Sequence, residues 1–375
     1  MDNKEKAGPK KKWNSQREGF QESLRYLQGR MKGEIKSLRT PWAKFNNATT
    51  DGLEWNTFTV IAGRPASGKT LIAEQIVRES FPLNPGENFR VLQFQFEMLA
   101  RTSAIREYSS VIGRSYKYLC SADGKLSGDD LQKCYDYAKA KIKYPIDVVE
   151  RPCTVEEFKQ IIGEYMMDHA HYDSDNNLIF TKALITIDHS VLFKNGPTEK
   201  SKQDMLANLG EAITSLKRQW PVAFVLLSQL NRNIDNPERS EDGKYGNYVL
   251  ESDIFGSDAI LQHADTVIGI NRPGKQKIRF YGPDRYVIDD DRILVLHFLK
   301  SRNGETGLCF FKAEFEKMMI AVGIGFFFIV GTFTSFLLWS LTRYPDVIEM
   351  TPSSMWVAMT IFGLVFCIIG TLGSD

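Results

Sequence analysis

The chain has 375 residues, with 47 lysines and arginines against 46 aspartates and glutamates. This balance excludes any inference of a nucleic-acid or membrane partner from net charge, and the length suits one large domain or two small ones. The five cysteines have no paired spacing, which argues against both a zinc site and a disulfide framework. Such cysteine usage is typical of the reducing cytosol.

The N-terminal residues predict a tail followed by one helix. Residues 1–15 are polar and basic, which predicts a disordered tail that is either solvated or in contact with nucleic acid. Residues 16–37 predict a helix, because large apolar side chains recur at spacings of four, three and four residues: Phe20, Leu24, Leu27 and Met31.

A glycine-rich loop then connects a predicted strand over residues 58–62 to a predicted helix over residues 71–77. The loop reads G-x-x-x-x-G-K-T, which between a strand and a helix is the pattern of a phosphate-binding loop. Its backbone N–H groups and the helix N-terminus would face the phosphates of ATP. Lys69 would reach the β- and γ-phosphates, and Thr70 would hold Mg²⁺. We expect the nucleotide to contact the whole loop, Gly63, Arg64, Pro65, Ala66, Ser67, Gly68, Lys69 and Thr70.

Three further apolar runs predict buried strands, at residues 89–96, 183–187 and 222–227. Helical patterns alternate with them, at residues 100–118, 128–142, 154–169 and 202–219. This alternation predicts an α/β fold with a parallel, doubly wound sheet. Ligands bind such sheets at the carboxyl ends of the strands, where three polar residues would then meet: Glu97, Asp188 and Gln229.

These three residues suit different tasks at a nucleotide. Asp188 ends an apolar strand, as a Walker B aspartate does, and would bind Mg²⁺ directly or through water. The next residue is His189 rather than an acid, so the general base must come from elsewhere. Glu97 is the candidate base, with an ordinary surface acid at a strand end as the alternative. The amide of Gln229 could contact the γ-phosphate and signal its loss.

Lys300 and Arg302 lie in a tight turn with an Asn-Gly pair, between strands predicted over residues 293–299 and 307–315. A projecting cationic turn could reach the γ-phosphate held by a neighbouring subunit. The alternative, which spacing alone favours, is a solvated hairpin tip.

The C-terminal region contains two long stretches without charge, residues 318–341 and 355–372. Each is long enough, or nearly so, to cross a bilayer as a helix, and together they predict a transmembrane hairpin. The ATPase part would then be a cytoplasmic domain, anchored to the inner face of a membrane by residues 318–372. The alternatives are burial of both stretches inside a soluble protein and an artefactual fusion of reading frames.

Six segments occur in the order and approximate spacing found in the DnaB-type replicative DNA helicases: residues 63–70, 95–98, 185–188, 228–232, 262–265 and 300–304. Over residues 38–317 the chain resembles the ATPase domain of that family. The resemblance implies a RecA-like ATPase fold that assembles as a hexameric ring around single-stranded DNA and uses ATP and Mg²⁺. It also implies Glu97 as the base, Gln229 as the γ-phosphate sensor, and a pair of fingers that act on the next subunit, Lys300 and Arg302.

The chain departs from the family pattern in three respects. The family's separate N-terminal helical domain, which helps to bind primase, is missing, so the helix over residues 16–37 could be a linker helix that packs on the next subunit. A helicase loader or primase could be a further partner. Phe255 stands where an arginine usually contacts DNA phosphate, and nearby cations could replace it: Arg232, Arg239 and Lys244. Bacterial members lack the hydrophobic C-terminal hairpin, and the compact form suggests a phage or mobile element as the source.

Two functions fit these observations. The first is an ATP-dependent DNA helicase or translocase of DNA replication, which the order of the motifs favours. The second is a membrane-anchored RecA-like ATPase with a regulatory or scaffolding role and no unwinding, which Phe255 and the hydrophobic C-terminal stretches favour. Stimulation of ATP hydrolysis by single-stranded DNA would distinguish the two.

Overall fold

The computed structural model describes residues 15–236, Arg239, and residues 248–255 and 257–312. Most of the predicted tail and both predicted membrane spans, 318–341 and 355–372, lie outside these described residues. Within the described ranges, no helix is long and apolar enough to cross a bilayer.

Helices and strands alternate along most of the described chain. The helices are α1 (Gln16–Lys32), α2 (Ala43–Ala48), α3 (Lys69–Leu83), α4 (Ala100–Ile112), α5 (Tyr116–Leu119), α6 (Gly128–Lys141), α7 (Val155–Asp168), α8 (Lys202–Gln219) and α9 (Ser257–Leu261). The strands are β1 (Phe58–Gly63), β2 (Phe89–Gln95), β3 (Ile146–Val149), β4 (Ala170–Tyr172), β5 (Leu178–Phe180), β6 (Lys182–Asp188), β7 (Val222–Gln229), β8 (Thr266–Asn271), β9 (Phe280–Tyr281), β10 (Tyr286–Val287), β11 (Ile293–Ser301) and β12 (Gly307–Lys312).

Eight strands form one sheet in the order β12-β11-β8-β1-β7-β6-β2-β3. From β8 to β3 all neighbours pair in parallel. At the other edge β11 runs antiparallel to β8, and β12 antiparallel to β11. The predicted α/β class with a mostly parallel, doubly wound sheet is therefore confirmed. Two short hairpins, β4 with β5 and β9 with β10, lie apart from this sheet.

Helices cover both faces of the sheet. All six residues of β1 are buried, as expected for a parallel strand between two layers. One layer packs α7 and α8 onto the sheet through Phe158 and Ile213, and the other packs α3 through Ile72 and Ile76. Burial of each such side chain stabilises the fold by about 1.5–3 kcal/mol. The central strand that leads into the phosphate-binding loop is thus held from both sides.

Two glycines account for differences from the predicted helix bounds. α1 ends at Lys32 rather than at residue 37, because Gly33 is left-handed with a φ of 72° and its N–H donates to the carbonyl oxygen of Arg30. The helix predicted over residues 100–118 is interrupted at Gly113, which is also left-handed. The hairpin of β4 and β5 lies between the helix predicted over residues 154–169 and the strand predicted over residues 183–187, where no strand was predicted.

One face of α1 is apolar and exposed. The four side chains whose spacing predicted this helix are 59% to 81% exposed. The C-terminal half of α1 is nevertheless fixed to the segment that precedes β1, since Arg30 pairs with Asp51 at 3.2 Å and Tyr26 donates a hydrogen bond to Glu54. Exposed apolar patches of this kind mark surfaces that pack against another molecule.

Candidate active site

The phosphate-binding loop joins β1 to α3 at the carboxyl end of β1. Its shape depends on glycine, because a Cβ at Gly63 would overlap the Ser67 hydroxyl and Gly68 has a φ of 104°. The helix begins at Lys69, so the unpaired N–H groups of its first turn lie at the loop. The Lys69 side chain is buried, and its ammonium donates to the carbonyl oxygen of Arg64 at 3.3 Å. The loop therefore presents N–H groups and the Lys69 ammonium to a phosphate.

Thr70 and Asp188 meet beside this loop. The Thr70 hydroxyl donates to Oδ2 of Asp188 at 2.8 Å, while Oδ1 is buried and has no hydrogen-bond partner among the described residues. Burial raises the pKa of Asp188 and lowers that of Lys69, and the opposite charge of each offsets part of the other's shift. Mg²⁺ prefers oxygen ligands, so a hydroxyl and a carboxylate with an uncommitted buried oxygen fit this ion.

Glu97 follows β2 and lines a small open cleft together with Thr70 and Asp188. The register of the sheet explains this, because Gln95 at the end of β2 lies beside Asp188 at the end of β6. The side chain of Glu97 is 58% exposed. Its carboxylate can therefore contact a water molecule in the cleft.

His189 joins the candidate base to the candidate sensor. The register of β7 places Gln229 beside Gly63, and the side-chain nitrogen of Gln229 lies 3.3 Å from Nε2 of His189. The same ring nitrogen lies 3.8 Å from Oε2 of Glu97. Burial lowers the pKa of His189. The predicted common edge thus brings the polar side chains together, with a histidine between two of them.

Sequence reasoning missed two residues of this site. Glu74 lies one helical turn after Thr70 and lines the same cleft. Its carboxylate accepts a hydrogen bond from Ser103 at 2.8 Å, and burial raises its pKa. The spacing of four from Thr70 could have indicated Glu74, because such residues share a helix face. His189 had the same signal as Asp188, namely its place at the end of a buried strand.

The phosphate-binding loop lies at the carboxyl ends of the parallel strands, whereas Lys300 and Arg302 lie at the level of their amino ends. The last residue of β11, Ser301, pairs with Thr266 at the amino end of β8. From that level β1 continues for four more residues to Gly63, which is about 13 Å at 3.3 Å per residue. The two cations are therefore distant from the nucleotide site of their own chain.

Contacts within the chain hold both cations in place. Arg302 donates to the carboxylate of Asp265 at 3.2 Å and to the carbonyl oxygen of Gln262 at 2.9 Å. Lys300 donates to the carbonyl oxygen of Leu261. About half of the Arg302 side chain is exposed, so a second partner can still approach it.

The loop expected to contact DNA is described in part. Phe255, which was predicted to replace an arginine usual in the family, is 38% exposed. Two terminal nitrogens of Arg239 donate to the Asp253 carboxylate, at 2.6 and 2.9 Å. Arg239 thus has an internal partner rather than the open position expected of a DNA contact. Arg232 is exposed, and Lys244 lies outside the described residues.

The strand order, the phosphate-binding loop and the polar residues at the carboxyl edge define a RecA-like P-loop nucleotide-binding domain. More specifically, residues 37–320 match the protein-family model described as DnaB-like helicase C terminal domain. The chain belongs to this family, as the six sequence motifs predicted.

Individual relatives are distant in sequence. The replicative DNA helicase DnaB of Helicobacter pylori is 24% identical over 242 residues, which cover 64% of this chain and 44% of that protein. The protein of the same name from Geobacillus stearothermophilus is 24% identical over 291 residues, 76% of this chain and 57% of that protein. The chain thus spans about half the length of the curated relatives it matches.

Solved structures agree on the fold. A DnaB-like replicative helicase, solved in a study of its interactions with primase, superposes with a TM-score of 0.63 at 16% identity, over 82% of this chain and 67% of that one. A second solved structure, of an ATPase domain, gives the same TM-score and identity over 78% of this chain and 94% of that domain.

Proposed function

We propose that this chain is the motor of a DNA replication helicase, which hydrolyses ATP at the subunit interfaces of a ring and moves along single-stranded DNA. One observation carries the proposal. The phosphate-binding loop, Asp188, Glu97 and Gln229 lie together at the carboxyl edge of the sheet, in a chain of the DnaB-like helicase family.

The roles of the residues follow from their places. Lys69 and the loop N–H groups would bind the β- and γ-phosphates. Thr70 and Asp188 would hold Mg²⁺, which offsets phosphate charge when bound. Glu97 would orient the attacking water and take its proton. Gln229 would contact the γ-phosphate through its amide.

Two features support assembly into a ring. The finger residues Lys300 and Arg302 lie too far from their own phosphate-binding loop to serve it, but could complete the site of an adjacent subunit. The exposed apolar stripe of α1 could pack on a neighbour and so be removed from water. We propose six subunits and single-stranded DNA in the ring by resemblance to the family, with a loader or primase as a further partner.

The test is ATP hydrolysis by the purified protein with and without single-stranded DNA, together with strand displacement on a forked duplex. We expect DNA to stimulate hydrolysis and ATP to drive displacement. Lys69→Ala is the control, because loss of the cation that holds the phosphates should abolish both. Hydrolysis that neither responds to DNA nor separates strands would favour the regulatory or scaffolding ATPase.

We also infer, from the sequence alone, that residues 318–341 and 355–372 form a membrane hairpin that anchors the ATPase domain on the cytoplasmic face. Backbone polar groups in lipid must pair within each helix, which suits two antiparallel helices.

The protein should then stay in the membrane fraction after an alkaline wash. A cysteine at Ser353 should react with an impermeant reagent from outside, and one at Ser374 should not. Release by the wash would contradict this proposal.

A further inference from the structure

His189 occupies a position that the proposed roles do not use. It follows Asp188 at the end of β6 and is buried. Its Nε2 atom lies 3.3 Å from the side-chain nitrogen of Gln229 and 3.8 Å from Oε2 of Glu97. One ring nitrogen is thus the meeting point of the proposed sensor and the proposed base.

The surroundings of the ring indicate which nitrogen carries the proton. Nδ1 of His189 is buried and has no hydrogen-bond partner among the described residues. A buried N–H without a partner costs about 1–3 kcal/mol. The tautomer with the proton on Nε2 avoids that cost and directs its N–H to the Gln229 amide and the Glu97 carboxylate. The Gln229 amide, turned so that its oxygen faces the ring, is one acceptor, and the Glu97 carboxylate is the other.

Nε2–H has one proton and can serve these two acceptors only in turn. Gln229 is the nearer partner in the present structure, and 3.8 Å to Glu97 is too long for a hydrogen bond. Within the described part of the chain, no hydrogen bond fixes the Glu97 carboxylate, whose side chain is more than half exposed. A general base in such a position needs a third group to orient it.

We propose that His189 is a positioning residue. Its Nε2–H changes hydrogen-bond acceptor, from Gln229 to Glu97, when the γ-phosphate engages Gln229. The proposal rests on the proposed ATPase function. When the Gln229 amide turns to the γ-phosphate, the histidine N–H loses its first acceptor. It then donates to the Glu97 carboxylate and directs the other carboxylate oxygen toward the attacking water. The base is thereby aligned only when a γ-phosphate is present.

The test compares three substitutions at position 189 in the assembled full-length protein. Steady-state ATP hydrolysis gives kcat and KM, and thermal unfolding reports the fold. His189→Leu removes both ring nitrogens, and we expect kcat to fall at least ~10-fold, the usual effect of removing an outer partner of a catalytic group. KM for ATP should stay within about twofold, because His189 does not hold the phosphates.

Two amide variants separate the ring nitrogens. The N–H group of glutamine reaches about as far as Nε2, so His189→Gln should restore most of the lost kcat. The amide of asparagine reaches only as far as Nδ1, so His189→Asn should not. In a double-mutant cycle, His189→Leu should still lower kcat in the Gln229→Ala background, because without the amide the ring N–H would donate to Glu97 throughout.

The outcomes that contradict the proposal are distinct. A kcat of His189→Leu within about twofold of the wild type would overturn it. The proposal would also be overturned if the loss of activity in His189→Leu came with a lower melting temperature and was not restored in His189→Gln. Such a result would indicate a role in folding alone. If the wild type itself hydrolyses no ATP while it binds the nucleotide, the proposed function fails and the role of His189 fails with it.

Discussion

Glu97 and Glu74 line one cleft but differ in their surroundings. Glu97 is open to water, whereas the Glu74 carboxylate accepts a hydrogen bond from Ser103. Glu97→Gln is expected to bind ATP normally and to hydrolyse it at least ~100-fold more slowly, because a general base contributes about 10²–10⁴-fold. Nucleotide titration and single-turnover hydrolysis would measure the two steps separately.

Glu74→Gln is the matched control, since it makes the same change in charge and shape within the same cleft. Its amide oxygen can still accept from Ser103, so we expect hydrolysis within a few-fold of the wild type. A larger loss in Glu74→Gln than in Glu97→Gln would instead identify Glu74 as the base.

The site residues differ in how far the sequence reveals them. Asp188 and Gln229 were predictable because each ends a run of buried apolar residues, and a parallel sheet collects such positions at one edge. The role proposed for His189 was not, because it depends on β6 lying between β2 and β7 in the sheet. Strand order is set by packing across the whole sheet, which no local pattern encodes.

At the scale of elements, the exposed stripe of α1 predicts a specific defect in assembly. Leu24→Ser together with Leu27→Ser should prevent ring formation, because each buried leucine would contribute about 1.5–3 kcal/mol at an interface. The melting temperature of the subunit should change little, since both side chains are exposed within it. Sedimentation or mass photometry with an ATP analogue would report the oligomer.

Val287→Ser is the control for this pair, because Val287 is 64% exposed but lies on β10, outside α1. It should leave the oligomer intact. Normal rings from the double variant would show that α1 does not hold the subunits together.

The junction of α5 and α6 depends on one buried acid. Asp130 is 2% exposed and accepts hydrogen bonds from Tyr118 at 2.8 Å and Arg114 at 3.1 Å. Burial raises the pKa of Asp130, but these bonds, with one from Lys133, outweigh it and keep the pKa below its usual value. A lowered pKa in the folded state stabilises the fold above the unfolded value of about 3.9, and that stabilisation disappears as the pH falls through the folded value.

Asp130→Asn should therefore lower the free energy of unfolding by about 1–2 kcal/mol at pH 7, and by progressively less below about pH 4. Urea unfolding between pH 7 and pH 3 would measure the difference. Asp129→Asn, at the neighbouring exposed acid of the same helical turn, should have little effect at any pH. A difference for Asp130→Asn that does not vary with pH would contradict this assignment.

Most elements followed from the sequence, and the exceptions have physical causes. The sequence predicted α8 with the bounds observed, since Ser201 and Asp204 form a capping box and the apolar spacing is regular. It extended α1 and α4 too far, because Gly33 and Gly113 end them in a conformation that spacing does not record. The hairpin of β4 and β5 was missed because its strands are only three residues long.

At the scale of the whole molecule, the position of Arg302 predicts that function can be restored between subunits. Arg302→Ala should bind ATP but not hydrolyse it, and Lys69→Ala should do neither. Rings assembled from both variants would contain interfaces with an intact loop from one subunit and an intact finger from another. We expect measurable hydrolysis in the mixture and none in either pure protein.

Sedimentation of the mixture must first establish that the two variants form joint rings. No recovery in such rings would mean that Arg302 acts within its own chain, for example by holding Asp265, to which it is bonded.

The segment 48–54 supports two parts of the molecule that would each contact a neighbour. Arg30 and Tyr26 fix the end of α1 to this segment. The finger turn rests on it too, because Glu305 donates its N–H to the carbonyl oxygen of Ala48 at 3.0 Å and Asn303 donates to Glu54 at 3.2 Å. If a neighbouring subunit displaced α1, segment 48–54 would therefore transmit the displacement to the turn that holds Lys300 and Arg302.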